Sequence, residues 1–513
     1  MPVAYWPFTI HYLYPMSDIR RQSIISSAVI YFGFAIGLLN TYLFTKQGLF
    51  TEEQYGLTGI FIAIAIMMSA LAGMAMPSFI FKFYPYYNDN LPPKKNDMIT
   101  WALLISVIGF ILVLIAGIAL KHLVVRKFGG NSQLMITYYY WLFPMGFGLT
   151  IYTVLEAYAW NLHKSVLTNF LREVQWRLFT TVFIVLFVMN VIKDYSLFIK
   201  CFAFTYPGIA IILFIYLVAT GKIHFTFSVS KVTRRFFRKI LALCLYVYSG
   251  TFIFTLSQVF DTFVIASLKG LDKAGIYTLA AVMSSVVQAP QRGVVAASIA
   301  HLSKGWKDKN IPLLQRIYQR SSLNLLIFSC GIFILIWMNF ADGVKTFGLK
   351  PDYLEAVDVL FLLGLARIID MGTGVNAQLI ATSNYWRFEL FSGLILLSLM
   401  LPLTYFLTKE YGITGPAFAN IISISIYNLI RIIFLWVKFK LFPFTLSSIY
   451  TLLLAAAGFC ICYFTLHNMQ GLPAIILRSL LFIIFYAGGI FYFNLSPDVK
   501  PVLETVKKRL KIK

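Results

Sequence analysis

Charged residues stand inside long apolar segments of this chain. Asp261 and Arg292 lie within such segments, and Glu156 closes another. A centred Asp or Arg costs about 2.5–3.5 kcal/mol on membrane-insertion scales, so a retained charge usually faces a cavity or a partner. We therefore expect Asp261 and Arg292 to line a polar cavity rather than to face lipid.

Arginines predominate among the charges at one end of these segments. Their forked guanidinium groups suit a phosphate or pyrophosphate. The predicted substrate-binding residues are Arg20, Arg21, Asn40, Arg172, Arg177, Gln288 and Arg292. For Arg172 and Arg177, an equal alternative is that they only anchor a helix end on the positive side of a membrane.

A second set of residues is predicted to shape the cavity or to couple ions. It comprises Glu156, Asp261, Arg367, Asp370 and Asn376. Arg367 and Asp370 are three residues apart, so a local salt bridge is the alternative to a role in the cavity. Few acidic residues lie in the apolar segments, which argues against an organic cation as substrate.

The elements that must position these residues are membrane-spanning helices. The chain is 59% hydrophobic and 12% charged, and backbone polar groups in a bilayer must be satisfied within the chain, which favours helices. Fourteen segments of about 20 residues are long enough to cross. They are 22–44, 56–81, 98–120, 135–158, 170–192, 197–220, 238–266, 274–301, 318–340, 355–380, 387–408, 413–437, 444–466 and 473–494.

The distribution of positive charge predicts the orientation of these spans. Of the 43 Lys and Arg residues, about 29 lie on the side of the termini and about 10 on the other. Four are ambiguous: Lys200, Arg292, Arg367 and Arg478. An even number of spans places both termini on one side, and the excess of basic residues makes that side the cytoplasm.

A weak internal repeat divides the spans. The segments around Asn40, Gly56 and Pro77 resemble those around Asp261, Gly275 and Pro290, at an offset of about 220 residues. We expect both prolines to break or bend their spans. The predicted organisation is an N-terminal segment (1–21), a first six-helix lobe (22–220), a basic linker (221–237), a second six-helix lobe (238–437), two further helices (438–494) and a basic tail (495–513).

Several classes of function are disfavoured. The basic residues flank apolar segments instead of forming one face of a soluble domain, so nucleic-acid binding is not expected. The five cysteines have no zinc spacing and imply no disulfide framework. No signal peptide is recognised, and Met16 is a candidate start. With no nucleotide-binding motif, transport would draw on an ion gradient (H⁺ or Na⁺), a substrate gradient or the membrane potential.

An ordered set of motifs resembles bacterial oligosaccharide flippases and polysaccharide-biosynthesis membrane proteins. It runs from Arg21-Gln22-Ser23 through Leu171-Arg172-Glu173-Val174, Gln288-Ala289-Pro290 and Ile369-Asp370 to Tyr411-Gly412-Ile413. The likeness covers about residues 20–495, within the multidrug/oligosaccharidyl-lipid/polysaccharide exporter superfamily. It implies an all-α fold with two six-helix lobes in a V around a central cavity, plus two C-terminal helices.

The resemblance also implies a function. It is that of a flippase, not an enzyme, which moves undecaprenyl-pyrophosphate-linked oligosaccharide across the bacterial inner membrane by alternating access, for O-antigen lipopolysaccharide or another surface polysaccharide. A polysaccharide polymerase and glycosyltransferases are candidate partners. The alternatives are an ion-coupled multidrug antiporter of the same fold and, less favoured, a membrane-embedded glycosyltransferase. Some relatives carry an acidic residue in the first span where this chain has Asn40, so ion coupling would fall to Asp261 or Asp370.

Overall fold

The computed structural model describes residues 14–385, 387–466 and 468–498. In these ranges the chain is helical, with one isolated β-bridge between Lys46 and Leu349. The all-α prediction is therefore confirmed. The helices of the N-terminal half are α1 (Tyr14–Thr45), α2 (Glu52–Ala72), α3 (Met76–Asn90), α4 (Met98–Ala119), α5 (Lys121–Phe128), α6 (Gln133–Thr137), α7 (Leu142–Asn161), α8 (Ser165–Asn169), α9 (Trp176–Val188), α10 (Tyr195–Ala203) and α11 (Thr205–Ala219).

A long helix, α12 (Lys231–Leu268), begins the C-terminal half. The remaining helices are α13 (Leu271–Val287), α14 (Ala289–Lys307), α15 (Ile311–Thr346), α16 (Ala356–Gly372), α17 (Asn376–Thr382), α18 (Arg387–Tyr411), α19 (Gly415–Phe439), α20 (Leu446–Leu466) and α21 (Gly471–Tyr492). A π-helical turn, Phe170–Gln175, lies between α8 and α9.

The described helices have the length and composition of a multi-pass membrane protein. Eight helical stretches are long and apolar enough to cross a membrane, and Val29–Thr45 is a shorter apolar helix. One of the eight, Arg387–Phe439, contains two predicted spans. Every predicted span overlaps a described helix, and the number of fourteen crossings stays a prediction.

Two of the predicted spans are interrupted beside the prolines that the sequence repeat relates. Between α2 and α3, Met74 and Ala75 have φ values of 43° and 57°, and Pro77 follows in the first turn of α3. Similarly, α13 ends before Gln288, and Pro290 lies in the first turn of α14. Proline lacks the N–H that an unbroken helix needs but is tolerated in a first turn. The expected breaks are confirmed.

The chain divides into two compact units. The first comprises the residues up to Phe44 and Leu57–Val259, and the second comprises Thr45–Gly56 and the residues from Phe260 onward. This division lies inside α12, beyond the predicted lobe boundaries at residues 220 and 238. The second unit thus includes the loop between α1 and α2, where Gln47 N–H donates to the Gly348 carbonyl at 2.9 Å.

Two glycines that the repeat relates pack directly on each other in the second unit. A Cβ atom at Gly56 would lie 1.9 Å from the carbonyl oxygen of Leu271, and one at Gly275 would lie 2.2 Å from that of Glu52. Both contacts are with backbone atoms, which no side-chain rotation relieves. The start of α2 and the start of α13 therefore approach at a distance that only glycine allows.

Buried Asp97 fixes the predicted basic linker to the first unit. Its Oδ2 accepts hydrogen bonds from Ser230 N–H at 2.9 Å and from Thr233 Oγ1 at 2.7 Å. Ser230 Oγ in turn accepts from Thr233 N–H at 3.1 Å, which caps the start of α12. Ser230 and Thr233 thus bond the linker to the loop before α4.

Asp97→Ala should destabilise the first unit. The change leaves the Ser230 N–H and the Thr233 hydroxyl without their acceptor, at a cost of about 1–3 kcal/mol. We expect a lower midpoint of thermal unfolding for the purified protein in detergent. Asp89→Ala, at an exposed position, is the matched control, and an equal loss in both variants would contradict the role of Asp97.

Candidate functional site

An ion pair between neighbouring spans holds Arg172 in the first unit. Arg172 Nη1 lies 2.8 Å from Glu156 Oε2; the carboxylate side chain is 7% exposed and the arginine 48% exposed. Arg172 belongs to the π-helical turn, a geometry frequent at functional sites. The pair therefore anchors the arginine on a buried carboxylate while leaving part of its guanidinium open to a ligand.

A second ion pair lies one turn further along the same span. Arg177 Nη1 is 2.7 Å from Glu173 Oε2, and its guanidinium stacks over the rings of Phe34 and Trp176 at 5.6 and 5.5 Å. Two glycines of α1 make room for this pair. A Cβ atom at Gly33 would lie 2.4 Å from the Glu173 carbonyl oxygen, and one at Gly37 3.0 Å from Arg177 Nε.

Asn40 joins α1 to the same region. Its Nδ2 donates to the carbonyl oxygen of Arg177 at 2.9 Å, and its Oδ1 accepts from Thr181 Oγ1 at 2.6 Å. The side chain is buried. These bonds give Asn40 a direct part in positioning Arg177. Together, Asn40, Glu156, Arg172, Glu173, Arg177 and Thr181 form what we call the first-unit charge cluster.

In the second unit, Asp261 lies in a cage of hydrogen-bond donors. Tyr277 Oη and Asn420 Nδ2 donate to its Oδ2 at 2.8 and 2.9 Å, and Thr404 Oγ1 donates to its Oδ1 at 3.1 Å. Asp261 is buried, and three donors suit an ionised carboxylate. Arg367 is near enough to act on it electrostatically.

The bond between Asp261 and Thr404 repeats a bond of the first unit. Asn40 and Asp261 occupy matched places in the sequence repeat, and each accepts from a threonine on the fifth span of its half, Thr181 or Thr404. A shared contact at matched positions supports the internal repeat more strongly than the sparse sequence identity. The two positions differ by one charge.

Asp370 accepts hydrogen bonds from side-chain amides of α14, of α19 and of the break before α14. Gln288 and Gln291 donate to its Oδ2 at 3.4 and 3.5 Å, and Asn428 donates to its Oδ1 at 3.2 Å. The break before α14 brings both glutamines to this carboxylate. Asn376 completes the network by donating to Asn428 Oδ1 at 2.7 Å. Gln288, Asp370 and Asn376 thus lie in one hydrogen-bonded network, and their place in a substrate cavity stays a prediction.

Arg367 does not pair with Asp370 among the described side chains, although the two are three residues apart. Its Nε is buried without a hydrogen-bond partner in the described part of the chain. A buried guanidinium nitrogen without an acceptor is costly, so Arg367 is the side chain of this region that most needs an acceptor. Asp261 is a carboxylate that interacts electrostatically with Arg367.

Sequence reasoning missed a buried ion pair beside these networks. Arg431 of α19 pairs with Glu389 of α18, and its guanidinium carbon lies 3.7 Å from the ring centroid of Tyr427. No role was assigned to Arg431 from the sequence. Glu389, in the first turn of α18, was the available signal: an acidic residue on the predicted positive side needs a partner.

Three predicted arginines lie outside this description. Arg20 and Arg21 belong to α1 and Arg292 to α14, but their side chains are not among the described ones. The described candidates gather instead into the first-unit charge cluster and the networks around Asp261 and Asp370.

Solved structures with the same fold are found by comparison. The chain is similar to the lipid II flippase MurJ in an inward closed conformation, with a TM-score of 0.70, 15% identity and coverage of 92% of this chain and 99% of that chain. It is also similar to an inward-facing MATE family multidrug resistance transporter of the MOP superfamily, with a TM-score of 0.64, 13% identity and coverage of 81% and 98%. At such identities the likeness shows the fold.

The family follows from the sequence itself. No curated protein matches the chain in sequence. A family model described as polysaccharide biosynthesis protein matches residues 19–301, which is more than half of the chain and includes every residue of the first-unit charge cluster. The resemblance drawn from the motifs is therefore confirmed: the chain belongs to the polysaccharide biosynthesis protein family.

Proposed function

We propose that this protein is a flippase for a polyprenyl-pyrophosphate-linked oligosaccharide in the bacterial inner membrane. Family membership supports a step in polysaccharide synthesis, and the fold is that of a lipid flippase and of drug transporters. The observation that carries the substrate class is Arg172, a half-exposed side chain whose guanidinium pairs with a buried carboxylate. Such a guanidinium suits a pyrophosphate through two parallel hydrogen bonds.

The excess of basic residues supports an orientation with both termini in the cytoplasm. Arg172 and Arg177 then lie on the side where a lipid-linked sugar is made, which is the side from which a flippase must collect it. In this proposal Arg20, Arg21 and Arg292 add to the pyrophosphate site. Neighbouring glycosyltransferases would supply the substrate and a polymerase would consume it.

Variants of the first ion pair test this proposal. Arg172→Ala should reduce transport at least tenfold, because it removes the donors to the pyrophosphate and leaves Glu156 a buried charge without its partner. Arg172→Lys should fall between, since a lysine keeps the charge but loses the fork. The readout is flipping of a fluorescent lipid-linked oligosaccharide in proteoliposomes, with surface polysaccharide in a deletion strain as the cellular counterpart.

A double variant separates binding from folding. Glu156→Gln with Arg172→Gln keeps polar groups in place and leaves neither charge unpaired, so a purely structural pair should tolerate it and still transport. We expect folded but inactive protein. Arg126→Ala, at an exposed arginine of α5, is the control that should transport normally. Wild-type flipping by Arg172→Ala or by the double variant would remove Arg172 from the pyrophosphate site.

The second candidate function is ion-coupled drug antiport. The observations that favour it are the MATE-like fold and the carboxylates of the second unit, Asp261 and Asp370. Deletion of the gene should leave drug sensitivity unchanged and surface polysaccharide lost if the flippase proposal holds. The reverse result would favour the antiporter.

A further inference from the structure

A basic pocket lies in the second unit, apart from the clusters described above. It is an open pocket with a volume of about 780 Å³, lined by the first turns of α15, the first turn of α20 and the segment after α21. Arg316 and Arg320 contribute two guanidinium groups, one turn apart on α15. The volume is in the range of small-molecule sites.

Hydrogen bonds fix the walls of this pocket. Gln315 binds both backbone groups of Phe442, donating to its carbonyl at 2.8 Å and accepting from its N–H at 3.0 Å. On the other wall, Asn324 donates to Asp498 at 2.8 Å and accepts from Ser496 Oγ at 2.6 Å. Both loops are therefore tied to α15, and the pocket is formed in advance of any ligand.

The electrostatics of the pocket favour an anion. Asp498 lies 3.4 Å from Arg320, whereas no acidic side chain of the described residues pairs with Arg316, and none lines the pocket. The N-termini of α15 and α20 meet here, and helix N-termini favour negative charge. The hydroxyl groups of Thr445 and Ser447 add further donors.

The surroundings of the pocket place it at the surface of the bilayer. With 36 residues, α15 is about 54 Å long at 1.5 Å per residue, longer than the roughly 30 Å hydrocarbon core, so its end turns extend beyond it. Exposed aromatic residues directly precede two of the segments that line the pocket, as is typical of a membrane interface. They are Phe442, Phe444, Tyr492 and Phe493.

We propose that this pocket binds the phosphate of an anionic phospholipid headgroup as a resident lipid, separate from the transported substrate. Basic pockets between transmembrane helices are known to accept anionic headgroups. The arginines and helix N-termini bind the phosphate, and the exposed aromatic residues beside the pocket contact the acyl chains. A soluble phosphate shares the first of these interactions and lacks the second.

Lipid binding to the purified full-length protein tests the proposal. Delipidated protein is titrated with phosphatidylglycerol or phosphatidylcholine, and bound lipid is counted by native mass spectrometry. We expect phosphatidylglycerol to bind preferentially, and the variant Arg316→Gln with Arg320→Gln to bind it at least tenfold more weakly. Arg234→Gln with Arg238→Gln is the matched control, with the same spacing at exposed positions of α12, and should bind as wild type.

Each other outcome overturns the proposal. Equal losses in both double variants would indicate general attraction to positive charge, and unchanged binding in the Arg316 and Arg320 variant would exclude the pocket. If millimolar inorganic phosphate displaces the lipid completely, the site is one for soluble phosphate. Displacement by lipid-linked pyrophosphate alone would make it part of the substrate path. Arg316→Gln alone, outside the Asp498 network, provides the same test if the double variant is unstable.

Discussion

Asp261→Asn is expected to abolish transport while leaving folded protein in the membrane. The change removes the charge held by Tyr277, Thr404 and Asn420 and removes a carboxylate that interacts electrostatically with Arg367. The hydroxyl groups of Tyr277 and Thr404 can reverse from donor to acceptor, so the cage can accommodate an amide. The loss therefore falls on the response to a coupling ion or to substrate more than on folding.

The measurement is flipping in proteoliposomes under an imposed H⁺ or Na⁺ gradient, together with the thermal midpoint in detergent. We expect flipping to fall at least tenfold and to lose its dependence on the gradient. Asp358→Asn, an exposed aspartate of α16 in the same unit, should behave as wild type. Gradient-dependent transport by Asp261→Asn at the wild-type rate would show that coupling uses another group.

Gly275→Ala and Gly56→Ala should have the largest effects on stability of the conservative changes proposed here. A methyl group placed 2.2 Å from the Glu52 carbonyl oxygen forces α2 and α13 apart, and overpacking of this kind costs about 1–3 kcal/mol or more. Gly56→Ala meets the Leu271 carbonyl at 1.9 Å and should be at least as damaging. For a unit of this size the midpoint should fall by about 5–10 °C.

The chain supplies its own controls for this prediction. A Cβ atom at Gly393 or Gly488 meets nothing within 4 Å, and both residues lie in helices. Alanine there should leave the midpoint unchanged or slightly raised, since alanine favours the helix over glycine. A fall at these positions equal to that at Gly275 would show that the effect is not one of close helix approach.

Sequence reasoning located elements better than it located partners. The helices were predictable because hydropathy over 20 residues reports burial in lipid, and the breaks near Pro77 and Pro290 because proline lacks an N–H. The pairing of Gly56 with Gly275 was not foreseen, although the repeat had related them. Periodicity along one helix does not say which residues of a distant helix will face it.

The candidate sites show the same limit. Glu156 and Arg172 flank one short loop, so their proximity could be read from the sequence, and the structure pairs them. Two of the three donors around Asp261, Thr404 and Asn420, come from positions more than 140 residues away, and neutral polar residues of that kind carry no signal of their own. Arg431 and Glu389 were missed for a similar reason, because each is unremarkable until the other is placed beside it.

The π-helical turn Phe170–Gln175 also bears on how this family should be aligned. Such a turn accommodates one residue more than the α-helix that surrounds it, and the helix on either side keeps its phase. A relative that lacks the extra residue can therefore retain the packing of α8 and α9 while losing the adjacency of Arg172 and Glu173. Evolutionary gain or loss of the adjacent Arg172 and Glu173 should then appear in an alignment as a one-residue gap at 170–175, in a span that otherwise aligns without interruption.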